Sequence, residues 1–142
     1  MSSIVTCMSQ SDDTRKRAAI AVLDHSYQKI IMVKQQASRK WGVPKGHLLK
    51  NEKYWDGALR ELEEETGFCL KHIRYDFICR DRSLFVVRLI HPYPESRFRA
   101  DKSEISSVKW VALSELTERM RSHPDDFNMW MRFVITNLGL DN

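Results

Sequence analysis

Glu61, Glu63, Glu64 and Glu65 put four carboxylates into five consecutive positions, directly after Arg60. Like charges this close repel and raise one another's pKa, so a fold keeps them only with something positive among them. A hard divalent cation with oxygen ligands meets that need. On a helix, with about 100° between successive residues, Glu61, Glu64 and Glu65 stand at i, i+3 and i+4 and converge on one side. Glu63 points elsewhere, into solvent. Trp55, Ala58, Leu59 and Leu62 form the neighbouring stripe that such a helix buries. The spacing predicts a helix over residues 53–66, with Gly67 as its left-handed C-terminal cap. Gly57 costs this helix roughly 1 kcal/mol relative to alanine, and the local sequence gives no reason for it. The competing reading of the glutamates is a solvated acidic face with no metal.

The flanking residues narrow the choice. Gly46, five residues, Glu52, seven residues, Arg60-Glu61-Leu62, one residue, Glu64-Glu65, one residue and Gly67-Phe68 run without gap or substitution over twenty-three positions. This pattern resembles the complete Nudix box. The resemblance implies an α/β class protein with the Nudix fold, an α/β/α sandwich around a mixed β-sheet. It also implies a metal-dependent hydrolase of nucleoside diphosphates linked to another group. By that resemblance, Glu61, Glu64 and Glu65 hold Mg²⁺ or Mn²⁺ with help from the Gly46 carbonyl. Glu52 and Arg60 brace the loop onto the helix through an ion pair.

Composition sets the bounds. With 142 residues, 42% hydrophobic and 30% charged, the chain reads as one soluble globular domain over residues 17–142, preceded by a flexible arm over residues 1–16. No apolar run approaches the roughly 18 residues needed to span a bilayer, and the N-terminus has no signal-peptide pattern. Cys7, Cys69 and Cys79 show neither metal-ligand spacing nor a paired framework and read as free thiols. The expected location is the cytoplasm, or the host cytoplasm for a viral chain, and not the secreted compartment. The net charge is +4, yet the box carries six acidic and three basic residues, leaving +7 elsewhere. An acidic metal socket in a basic surround suits a polyanionic substrate.

The elements that must position the box alternate strands with helices. Residues 18–23 and 29–34 read as strands joined by the turn Asp24-His25-Ser26. Residues 41–46 are extended, because Pro44 biases Val43 away from helix. Residues 75–79, 84–90 and 105–112 are strand-like, residues 91–97 form a loop, and residues 113–121 and 125–138 are helices. Phe127, Trp130, Met131 and Val134 of the last helix have core spacing.

Outside the box, several stretches are similar to the catalytic domain of the eukaryotic mRNA-decapping enzymes. These are Trp41-Gly42-Val43-Pro44-Lys45-Gly46, Glu65-Thr66-Gly67-Phe68, and the segment from Ser103 to Trp110 with the following Leu113-Ser114-Glu115-Leu116. The resemblance implies capped RNA as substrate, with a nucleotide-containing polyphosphate as the broader class. It also implies that Glu104 is a further metal ligand or the general base, and that Lys45 contacts the phosphates. Two departures separate this chain from that family. Its separate helical N-terminal domain has no counterpart in residues 1–17, and the terminal helix carries Arg132 as its one cation. Dinucleoside polyphosphates and diphosphoinositol phosphates therefore stand as alternative substrates, and a non-catalytic nucleotide- or RNA-binding module as the reading of a different class. Trp41, Tyr93 and Phe85 each have competing places in core or rim, so none is assigned as a base-stacking aromatic.

Overall fold

The run at residues 18–23 is apolar throughout because both of its faces are covered. Ala18, Ile20 and Val22 belong to one core cluster, and Ala19, Ala21 and Leu23 to the other. A strand buried on both sides reads as a continuous apolar stretch rather than an alternation. The computed structural model describes residues 13–140. It places this run in β1 (Asp13–Leu23), followed by β2 (Lys29–Gln35), β3 (Trp41–Gly42), β4 (Lys45–Leu48) and α1 (Tyr54–Thr66). Then come β5 (Tyr75–Asp81), β6 (Leu84–Leu89), β7 (Ile105–Ala112), α2 (Leu113–Ser122) and α3 (Trp130–Asn137).

The seven strands form one sheet with the path β3-β2-β1-β6-β5, while β4 pairs with β1 and β7 with β2. β1 and β6 are parallel and the other pairings antiparallel, so the sheet is mixed. Helix α1 packs Ala58 and Leu62 into the cluster with Ile20, Val22, Phe85 and Val87. On the opposite face α2 and α3 contribute Leu116, Met131 and Val134 to the cluster with Ala19, Ala21 and Met32. The α/β/α sandwich expected from the sequence is therefore the observed one.

Pairing of β4 with β1 sets Gly46 opposite Ala18 and Lys45 opposite Ala19. This ladder holds the entry to the box against the buried run of β1. It also corrects the arm boundary. Residues 13–16, read from sequence as the end of a flexible arm, lie in β1, where Asp13 pairs with Leu48 and Arg17 with His47. Their polar side chains hid a strand whose partner is distant in sequence. Residues 1–12 and the thiol of Cys7 fall outside the described residues.

The last helix needs a second correction. It begins at Trp130 rather than at residue 125. Pro124 opens a separate 3-10 turn (Pro124–Asp126), and Phe127 is extended, bridging to Trp41. Asn128 then accepts from the Trp130 N–H at 3.0 Å through Oδ1, which starts the helix late. No helix among the described residues is long and apolar enough to cross a membrane, and Cys69 and Cys79 are free thiols.

Candidate active site

Helix α1 ends where its sequence says it should. Gly67 adopts φ 76°, and its N–H donates to the Glu63 carbonyl at 2.8 Å, closing the last turn as a left-handed cap. The helix buries Gly57, Ala58, Glu61, Leu62, Glu65 and Thr66, so two of the three box glutamates lie on its inner side. Gly57 now has a reason. A Cβ there would overlap Leu48 Cδ2 and come within 3.2 Å of Glu52 Oε1, so its absence lets α1 lie close on β4. Gly46 plays the same part at the site itself, because a Cβ on it would occupy the space of the Glu61 carboxylate.

Arg60 is the hub. Its Nε donates to Glu52 Oε2 at 2.9 Å and its Nη2 to Glu52 Oε1 at 2.9 Å, the bidentate fork of a guanidinium on a carboxylate. Nη2 also donates to the His47 carbonyl at 3.0 Å. Glu52 Oε1 accepts in addition from the Leu49 N–H at 2.9 Å. Glu52 and Arg60 thus tie the loop to the helix by an ion pair. The Arg60 hydrogen bond holds the Glu52 carboxyl below the usual carboxylate range, against the opposing effect of burial. The same contact with Glu52 raises the Arg60 pKa further. Sequence reasoning missed the rest of the hub. Nη1 reaches Glu61 Oε2 at 3.2 Å and both Glu64 oxygens at 3.2 and 3.3 Å.

The acid cluster is graded by depth. Glu64 is half exposed, Glu61 is 9% exposed and Glu65 is 4% exposed. Burial pushes the Glu61 pKa up, partly offset by its contacts with Glu65 and Arg60. Glu65 is raised to about 9, first by burial and then by the charge of Glu61 beside it. Its Oε1 is buried and accepts no hydrogen bond. A buried carboxylate oxygen without a donor costs free energy unless a proton or a cation attends it. Among the described residues, no three acidic, histidine or cysteine side chains form a ready-made cation cage in this conformation. Glu61 and Glu64 are both turned onto Arg60 Nη1.

The sequence-predicted residues do share one place. Lys45, Gly46, Glu61, Glu64, Glu65 and Glu104 all line a single open cleft of about 390 Å³. Glu104 is exposed on the loop before β7. That loop is fastened to the end of β2, where the Gln36 N–H donates to the Glu104 carbonyl at 2.7 Å. Arg17, Gln35, His47, Leu49 and Arg60 complete the lining. No sequence signal marks the first four: Arg17, Gln35 and His47 arrive through the pairing of strands and Leu49 follows β4, and Arg17 donates to His47 Nε2 at 3.1 Å. Among the unassigned aromatics, Phe85 is core, edge-to-face with Trp55 at 5.0 Å between ring centroids, and Tyr93 packs on Phe68 at 4.4 Å. Trp41 is half-buried.

A cleft with graded acids, a lysine and an arginine hub is suited to holding a divalent cation against phosphates. The family description "NUDIX domain" matches residues 13–133. The chain belongs to the Nudix hydrolase family. Among its Nudix relatives is the mRNA decapping complex subunit 2 of Schizosaccharomyces pombe, 35% identical over 130 residues, 87% of this chain and 17% of that protein. The mRNA-decapping enzyme subunit 2 of Arabidopsis thaliana is 31% identical over 101 residues, 67% of this chain and 27% of that protein. The chain thus spans about a quarter or less of the length of these relatives. Its Nudix fold also resembles a Caenorhabditis elegans Ap4A hydrolase, with TM-score 0.63 and 15% identity, covering 87% of this chain and 93% of that one.

Proposed function

We propose that this Nudix protein hydrolyses a pyrophosphate linkage in a nucleoside diphosphate-X substrate, and that the substrate is the 5′ cap of mRNA. The observation that carries the hydrolase reading is the orphaned, buried Glu65 Oε1 beside Glu61 in a cleft that also contains Lys45, Gly46, Glu64 and Glu104. Two carboxyls pressed together with raised pKa values need a positive partner to ionise at neutral pH; Arg60 reaches Glu61, while Glu65 Oε1 has no partner. These oxygens fit Mg²⁺ or Mn²⁺, hard cations that take carboxylate and carbonyl ligands. Glu61, Glu64, Glu65 and the Gly46 carbonyl would hold the metal, which leaves Glu104 as the base. When bound, it supplies charge against the phosphate oxygens and lowers the pKa of water.

The chain's own groups do the remainder. Lys45 sets its ammonium on the phosphates. Glu104, exposed at the cleft wall, takes the proton of the attacking water as its oxygen bonds to phosphorus. The bond from that phosphorus to the bridging oxygen breaks, leaving 7-methylguanosine diphosphate and RNA with a 5′ monophosphate. Arg60 and Glu52 keep the Gly46 loop at a fixed height over α1. Glu64, now on Arg60, would be a further ligand of that metal.

The choice of the cap rests on the two decapping relatives and on the likeness from Trp41 to Gly46. Its test is incubation of capped RNA with Mg²⁺ or Mn²⁺ and analysis of products. Release of methylated guanosine diphosphate supports the cap. Rapid turnover of diadenosine tetraphosphate or a diphosphoinositol phosphate with inert capped RNA rejects the cap and keeps the hydrolase. Binding without turnover of any of them leaves a nucleotide-binding module and rejects the hydrolase.

A further inference from the structure

The catalytic cleft contains one cation that the acid cluster does not use. Its charged lining is Glu61, Glu64, Glu65 and Glu104 against Arg17, Lys45 and Arg60. Arg60 is committed to Glu52, to the His47 carbonyl and, through Nη1, to Glu61 and Glu64. The charge of Lys45 acts on Glu65, whose raised pKa it opposes. Arg17 has no acidic partner among the described residues, and its side chain makes one hydrogen bond there, from Nε to His47 Nε2 at 3.1 Å. We infer that Arg17, held by His47, is a seat for a further phosphate of the substrate, so that the cleft favours bridges of three or more phosphates over a plain diphosphate. The inference rests on the proposed hydrolase reading, because it assigns a contact to that reaction's substrate.

Three observations support it. The first is the way the guanidinium is held. Arg17 and His47 are cross-strand partners of β1 and β4, so their side chains leave the ladder on the same face. An arginine Nε only donates, so His47 Nε2 accepts and the ring proton sits on Nδ1. This bond uses one donor of the guanidinium and leaves both Nη groups as an open fork. Such a fork matches two oxygens of one phosphate. His47 is itself anchored, because its carbonyl accepts from Arg60 Nη2 at 3.0 Å. The Arg17 side chain is exposed, so a phosphate reaches it from the open cleft.

The second is position along β4. Lys45 and His47 are alternate residues of this strand, with Gly46 between them. Their side chains share one face and start about 7 Å apart. A phosphate chain laid along β4 thus meets the Lys45 ammonium at one end and the Arg17 fork at the other.

The third is charge balance. Four carboxylates face three cations in the cleft. A bound cation and Lys45 serve the phosphates at the scissile bond, but every added phosphate brings more negative charge into an acidic place. Such a phosphate is repelled unless a cation of its own meets it. Arg17 is the cleft cation that no carboxylate among the described residues already occupies.

The test is calorimetric binding of inorganic triphosphate and pyrophosphate in Mg²⁺, with Glu104→Gln as the parent so that turnover of either probe is slow. Adding Arg17→Met should weaken triphosphate about tenfold and pyrophosphate less than about twofold, the loss of one charged hydrogen-bonded contact. Retained pyrophosphate binding shows that the rest of the cleft is intact. His47→Ala keeps the carbonyl that Arg60 uses and should weaken triphosphate about threefold, with no further loss when it is added to Arg17→Met. In a chain that keeps Glu104, Arg17→Met should raise KM for a triphosphate-bridged dinucleotide with little change in kcat, and Arg17→Lys should recover only part of the loss. A diphosphate-bridged dinucleotide should keep its KM. Equal weakening of both probes, unchanged triphosphate affinity in Arg17→Met, or additive losses in the double variant overturns the seat while leaving the hydrolase reading intact. Triphosphate binding that depends on Arg17 and His47, in a chain that hydrolyses no pyrophosphate linkage, keeps the seat and rejects the hydrolase.

Discussion

Replacing Arg60 with methionine keeps much of the side-chain volume and removes five donors. The structure sets the size of the effect. The bidentate bond to Glu52 and the bond to the His47 carbonyl are all at 2.9–3.0 Å. Hydrogen bonds to charged groups contribute about 1.5–3 kcal/mol each, and removing one partner of a buried pair costs about 3–5 kcal/mol. Arg60 is 25% exposed and Glu52 13%, so solvent discounts part of this. The estimate for Arg60→Met is then a loss of about 3 kcal/mol. With a urea slope of about 2 kcal/mol per M, the unfolding midpoint falls by about 1.5 M. Arg60→Lys keeps the charge but not the fork and should recover less than half of the loss. The pH dependence adds a signature. Glu52 titrates below its ordinary range in the folded protein. Its contribution is present above that range and lost as pH falls through the lowered value. The gap between wild type and Arg60→Met should therefore narrow below about pH 4. A midpoint within about 0.3 M of wild type at pH 7, or a gap that widens in acid, would refute the bracing role.

Further outcomes follow from the acid cluster. Glu64→Gln and Glu65→Gln should each lower turnover by two or more orders of magnitude with circular dichroism unchanged, and full activity at any point of a Mn²⁺ titration would remove them as ligands. Glu104→Gln should slow the reaction and shift its pH–rate profile, so a superimposable profile excludes it as the base. In EDTA, Glu65 keeps its proton in the folded state up to about pH 9 whereas the unfolded chain releases it near an ordinary carboxylate pKa. Metal-free stability should thus fall as pH rises from about 5 to 9, and thermal melts of Glu65→Gln should lose that slope; parallel curves for the two proteins refute the assignment.

What could be read from the sequence and what could not divides by the distance over which the cause acts. Helix α1, its buried stripe and its glycine cap were legible because their causes lie within one or two turns: a 3.6-residue period and a left-handed residue at Gly67. The placing of Glu61, Glu64 and Glu65 along one cleft followed from the same period, although no three acids close into a cage among the described residues. Glu104 was legible only through resemblance, since it stands thirty-six positions beyond the end of the box and a loop brings it to the cleft. Gly57 looked like a defect because its reason, the closeness of Leu48 and Glu52, is tertiary. Strand residues 13–16 looked like a tail because their partner is β4, and the late start of α3 needed Pro124, the extended Phe127 and Asn128 together.

The role of Arg60 shows the same division within one side chain. Its pairing with Glu52 is a matter of pattern, eight residues apart on loop and helix. Its hold on Glu61 and Glu64 is a matter of geometry. One guanidinium serves the brace through Nε and Nη2 and the acid cluster through Nη1. The positive partner that the carboxylates require is therefore supplied in part by the protein. That partial neutralisation leaves Glu65, the deepest of them and out of reach of the fork, as the oxygen for which a cation remains to be found.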